Sequence, residues 1–151
     1  MYYKNTGNVN VYDNVQILKQ DIEINMKKMY YNDKTKKMVL TGPITGSKGK
    51  YDFEAKYGEI NTNTEDVRII EDVIIDNTDV DIKLFADEIK YNSENDKIDI
   101  IGNREIRVKG KDFTATSKDG EYYLEENILK VNNSYKFTQD QIQVTGKKLV
   151  F

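Results

Sequence analysis

The sequence predicts an all-β protein, with antiparallel strands in up-and-down order forming a long, open jelly roll built from two repeats of about 60 residues. Three features carry this prediction: a long internal repeat, a hydrophobic period of two, and polar turn residues between the apolar runs. The segment from Asp81 to Asn103 lies without gaps on the segment from Asp21 to Pro43, at an offset of 60 residues. That register pairs Ile22 with Ile82, Ile24 with Leu84, Met29 with Ile89, Tyr31 with Tyr91, Lys37 with Lys97 and Gly42 with Gly102. It continues as far as Phe53-Glu54-Ala55 against Phe113-Thr114-Ala115. A unit of this kind cannot bury an apolar face alone, so its copies must stack or wrap on one another. A β-solenoid-like stack is the competing arrangement; a 60-residue unit of several hairpins suits antiparallel sheets better. Residues 1–151 are expected to form a single domain, with repeats at about 21–80 and 81–140.

Taken in order, Val9 and Val11, Val15 and Ile17, and Ile22, Ile24 and Met26 alternate with polar residues, as half-buried strands do. The alternation recurs in Met38-Leu40, Phe53-Ala55, Val67-Ile69, Val73-Ile75, Val80-Ile82-Leu84, Ile98-Ile100, Ile106-Val108, Tyr122-Leu124 and Ile142-Val144. Strands of about 5 to 8 residues are expected from these runs. Tyr31 to Lys34 and Tyr91 to Asp96 have the composition of hairpin loops, and Lys118-Asp119-Gly120 reads as a turn suited to positive φ. In both repeats the apolar parity switches at one place, from Met26 to Met29 and from Leu84 to Ile89. An odd shift turns every later side chain to the other face unless the strand bulges. A bulge or corner is therefore expected near Lys27-Lys28 and Asp87-Glu88.

Composition narrows the function. The chain has no His and no Cys, which removes the commonest general base, the commonest zinc ligand and any thiolate or disulfide chemistry. It has no Gly-x-Ser-x-Gly and no phosphate-binding loop, so no catalytic residue is assigned and no enzyme or cofactor is expected. Asp76 to Asp81 is acidic but lacks the glycine and distal Glu of a calcium loop, so no metal is expected either. The net charge of −3 supplies no global field for nucleic acid. No apolar run approaches a membrane span, and Met1 to Asn5 is not a leader.

Ala86 to Asn103 reads Ala-Asp-x-Ile-x-Tyr, polar turn, Lys-Ile-x-Ile-x-Gly-Asn, and is followed by Ile-x-Val-x-Gly and Phe-x-Ala between Ile106 and Ala115. With Gly7-Asn8-Val9 and Thr41-Gly42-Pro43, this pattern resembles the OstA-like lipopolysaccharide-export proteins of the LptA and LptC type across nearly the whole chain. The resemblance implies a twisted jelly roll, open at its ends, in the periplasm. A leader or inner-membrane anchor would then have been removed from the chain as given. It also implies lipopolysaccharide or its lipid A as ligand, docking of related jelly-roll proteins at the sheet edges, and self-association. The interior residues expected to meet acyl chains are Ile22, Ile24, Leu40, Phe53, Ile82, Leu84, Ile98, Ile100, Ile106, Val108, Phe113 and Leu124. Gln139 to Gly146, with Leu149-Val150-Phe151, looks like the start of a third unit and supplies an edge.

Physical logic supports the lipid expectation, since each exposed methylene costs about 0.8 kcal/mol and an apolar groove removes that cost. The same side chains also suit a dry core. Two other functions therefore stay open: a structural or adhesive repeat segment of a larger surface protein, and a carbohydrate-binding or hydrolysing jelly roll with a Tyr-lined outer groove.

Overall fold

The fold is seen in a computed structural model, which describes residues 2–5, 7–123, 126 and 128–150. Its described residues form one antiparallel sheet of eleven strands, each paired with its neighbours in sequence. They are β1 (Tyr2–Asn5), β2 (Asn8–Lys19), β3 (Ile22–Asn32), β4 (Lys37–Lys48), β5 (Tyr51–Asn61) and β6 (Val67–Asn77). The second half adds β7 (Ile82–Asn92), β8 (Lys97–Lys109), β9 (Phe113–Tyr123), β10 (Ile128–Gln139) and β11 (Ile142–Val150). The terminal strands β1 and β11 do not pair with each other, so the sheet stays open.

Beyond β1 the strands run 9 to 13 residues, longer than the 5 to 8 expected. The cause is a corner at the middle of each strand, which the sequence shows as two short runs. The expected irregularity near Lys27-Lys28 and Asp87-Glu88 is present, with pairing broken between Asn25 and Lys28 and between Phe85 and Glu88. The same break occurs in every strand pair from β2–β3 to β10–β11.

Even-numbered strands supply the extra residues, one each in β2, β4, β6 and β10 and three in β8. Asp13-Asn14, Glu71-Asp72 and Asn133-Ser134 sit at φ between 51° and 66°, and Gly42 at 53°. Consecutive left-handed residues turn the chain sharply, and Asn, Asp and Gly adopt that region at least cost. The corners at Asp13, Gly42, Glu71, Gly102 and Asn133 are spaced 29, 29, 31 and 31 residues. Each 60-residue repeat is therefore two corner-bearing strand pairs. Lys118-Asp119-Gly120, expected as a turn, lies inside β9 at such a corner, and Gly120 has no positive φ. Its glycine answers a close approach instead: a Cβ there would meet the Lys130 carbonyl at 3.0 Å.

The corners fold the sheet into two layers. Layer I holds the halves such as Ile22–Asn25, Tyr51–Glu54 and Ile82–Phe85; layer II holds Lys28–Asn32, Tyr57–Asn61 and Tyr122 with its neighbours. Tyr51 and Tyr122 show that the layers face each other. They lie on β5 and β9, four strands apart, which is about 19 Å within a flat sheet. Their hydroxyls are nonetheless 2.9 Å apart. The molecule is thus a V-shaped roll, closed along the corner, with a mouth where the strand ends of the two layers meet.

Candidate functional site: the interior and its mouth

Alternation sends every second side chain of both layers into the V. Eleven of the expected interior residues fall into two apolar clusters. Ile22, Ile24, Leu40 and Phe53 belong to the first, with Val15, Met26 and Ile44. Ile82, Leu84, Ile98, Ile100, Ile106, Val108 and Phe113 belong to the second, with Val73, Ile89 and Ala115. Leu124 lies outside the described residues.

Burial grades from corner to mouth. Leu40, Ile100, Ile106 and Val108, near the corner, are 2–3% exposed. Ile22, Phe53, Ile82, Ile98 and Phe113, near the strand ends, are only half-buried. The inner surface is therefore packed at its base and accessible toward the mouth.

Sequence reasoning left Ile44 and Val73 off the list, although they are among the most buried side chains. The signal for Ile44 was available: it matches Ile106 at an offset of 62, just outside the gap-free register. Gly58 and Gly120 share that offset and receive these two isoleucines. A Cβ at Gly58 would lie 3.3 Å from Ile44 Cδ1, and one at Gly120 3.8 Å from Ile106 Cδ1. Other inner glycines lie under aromatic rings. A Cβ at Gly46 would meet the Phe53 ring at 2.2 Å and the Glu23 carbonyl at 2.6 Å. Gly46→Ala is therefore expected to cost about 1–3 kcal/mol, measured as a lower urea midpoint.

At the mouth each rim is stitched to itself. On the layer II rim the Asp33 amide donates to Gly7 O at 2.8 Å, the Thr62 amide to Lys36 O at 2.8 Å, and the Ser93 hydroxyl to Thr64 O. On the layer I rim the Thr78 amide donates to Lys50 O at 3.0 Å. Among the described residues, two contacts cross from rim to rim. Lys19 Nζ, at the end of β2, meets Glu65 Oε1 in the β5–β6 turn at 2.5 Å, and Tyr51 meets Tyr122. The two tyrosine rings pack edge to face with centroids 6.4 Å apart. Burial, and then the bond to Tyr51, hold the Tyr122 hydroxyl well above the usual tyrosine range. Phe113 and Phe137 stack nearby at 5.5 Å on the layer I side.

Ion pairs on the outer faces explain some of the repeated charges. Lys37 pairs with Glu59 at 2.8 Å, and its repeat equivalent Lys97 pairs with Glu121 at 2.9 Å. Arg68 binds Glu88 at 2.5 Å. Hydrogen bonds from Lys37, Arg68 and Lys97 hold Glu59, Glu88 and Glu121 below their ordinary value near 4.5. A carboxylate with a lowered folded pKa stabilises the fold above its unfolded pKa, and that contribution disappears as pH falls through the folded value. The urea midpoint is therefore expected to drop between pH 4.5 and pH 3, and to drop less in Glu88→Gln.

Two grooves mark the outer faces, one of about 270 Å³ around Glu23, Thr45 and Asp52 and one of about 640 Å³ around Asp99, Glu121 and Lys148. Neither is lined by tyrosine, so the Tyr-lined sugar groove finds no counterpart in them. Among the described residues, no group of three or more Asp or Glu is placed to hold a metal ion. At the C-terminal end β11 is an edge strand, and its Ile142 and Val144 are 64% and 44% exposed.

A family model described as "LptA/(LptD N-terminal domain) LPS transport protein" matches residues 2–151. Among solved structures, the fold is similar to LptH, the LptA-homologous periplasmic component of the lipopolysaccharide transport device of Pseudomonas aeruginosa. The TM-score is 0.63 at 14% identity, over 84% of this chain and 94% of that one. Comparison with curated protein sequences gives no match.

Proposed function

The chain belongs to the LptA/LptD N-terminal-domain family of lipopolysaccharide transport proteins, and from that premise we propose that its apolar interior carries the acyl chains of the lipid. As a member it is a non-enzymatic, periplasmic transport component with a jelly-roll fold. The gradient of burial carries the proposal. Side chains close the base of the V, while Ile22, Phe53, Ile82, Ile98 and Phe113 leave an apolar surface accessible between base and mouth. Hydrocarbon laid on that surface leaves water, and the polar head stays outside the mouth.

Axial continuity supports the second half of the proposal, that related jelly rolls add at the sheet edges to extend the path between the membranes. The inward side chains of β11, Ile142 and Val144, stand exposed at an unpaired edge. Such an edge offers backbone donors and acceptors to a further strand.

Site-specific photocrosslinking tests the interior. A benzophenone side chain in place of Ile82 or Ile98 is expected to label lipid A, while the same group in place of Lys83 or Asp99, on the outer face, is expected not to. Equal labelling from both faces would overturn the proposal.

A further inference from the structure

Resting on the lipid path proposed above, we infer that Tyr51 and Tyr122 form a crossbar over the mouth that must part each time a lipid moves along the interior. The inference follows from topology. A lipid whose acyl chains lie inside the V carries a sugar head too polar to follow them, so the head projects through the mouth. Tyr51 on the layer I rim and Tyr122 on the layer II rim join across that mouth, hydroxyl to hydroxyl at 2.9 Å. They lie at the strand ends, with Tyr51 opposite Lys48 and Asn77, and Tyr122 opposite Ile98 and Leu129. A projecting head cannot pass a closed bar.

The bar is suited to opening. Each rim is bonded turn to turn within its own layer, so the layers can separate at the mouth without losing those bonds. Tyr51 and Tyr122 meet through a hydroxyl pair and an edge-to-face ring contact, a weak bond set beside a packed corner. Burial holds the Tyr122 hydroxyl above the usual tyrosine range, and either hydroxyl of the pair can donate to the other. The Lys19–Glu65 pair crosses the mouth at a second point, but its side chains are 60% and 64% exposed and water competes for it.

If lipid enters only when the bar is open, the association rate scales with the open population. Removing one net hydrogen bond multiplies that population by about 3 to 10. Tyr51→Phe and Tyr122→Phe keep the rings and delete the bond. Each is expected to raise the association rate of a fluorescent lipid A, followed by stopped flow, by that factor.

The chain has no cysteine, so Tyr51→Cys with Tyr122→Cys gives a unique thiol pair. Bridged by a short, reducible bis-methanethiosulfonate, the pair is expected to slow lipid A uptake at least tenfold, with recovery on reduction. Uptake unchanged by the bridge, or by both Phe variants, would overturn the crossbar and leave the lipid path standing, with entry from the open ends. No uptake by the unaltered protein would overturn the lipid path itself, and the crossbar with it.

Discussion

Ile106→Ala is expected to lower stability by about 2–5 kcal/mol, seen as a fall in the urea midpoint with an unchanged slope. Ile106 is 2% exposed at the corner of β8, where it packs over Gly120 and into the larger apolar cluster. Truncation leaves a cavity that the corner cannot collapse to fill, because pairing on both sides fixes the two arms of the strand. Ile44→Ala, at the matching place over Gly58, is expected to cost a similar amount. A loss below about 1 kcal/mol at both sites would mean that the corner is not the packed base of the V.

Phe113→Asp is expected to weaken lipid binding by more than tenfold while the sheet survives. Phe113 opens β9 near the mouth, is half-buried, and stacks on Phe137. A carboxylate at that position reaches water, so the fold tolerates it and circular dichroism keeps its β signal. The acyl path does not tolerate it, since displacing even two methylenes from apolar contact costs about 1.6 kcal/mol, somewhat more than tenfold in affinity. Isothermal titration with lipid A measures the loss directly. Folded Phe113→Asp that binds lipid A as tightly as the unaltered protein would remove Phe113 from the path.

How much of this was legible in the sequence varied with the kind of signal. Period-two alternation placed eleven inner residues on the correct face, because a one-residue slip would have exposed them all. The parity switch after Met26 and Leu84 marked two corners. Others escaped because parity does not change across them: in β6 the inner residues Ile69 and Val73 are an even number apart, so the two short runs read as two strands instead of one bent strand. Lys118-Asp119-Gly120 misled for a related reason: a glycine admitted by a close carbonyl looks the same in sequence as one needed for a turn. The Tyr51–Tyr122 contact had no local signal. Residues 71 positions apart on strands four places apart meet only once the sheet has folded over.

The pairing of Lys37 with Lys97 in the repeat became explicable only through their acidic partners. Glu59 and Glu121 stand at an offset of 62, outside the gap-free register, so identity of the lysines appeared without its cause. The outer faces hold the strands in register through such pairs and leave the inner face to aliphatic side chains.

The most direct test of the lipid path is native mass spectrometry of the protein with lipid A, with a soluble oligosaccharide as control. The account predicts a lipid A adduct that other acyl amphiphiles displace and the oligosaccharide does not, and that is weakened in Phe113→Asp. A protein that keeps its β signal but forms no lipid A adduct would contradict it, leaving the roll as a structural element without a lipid ligand.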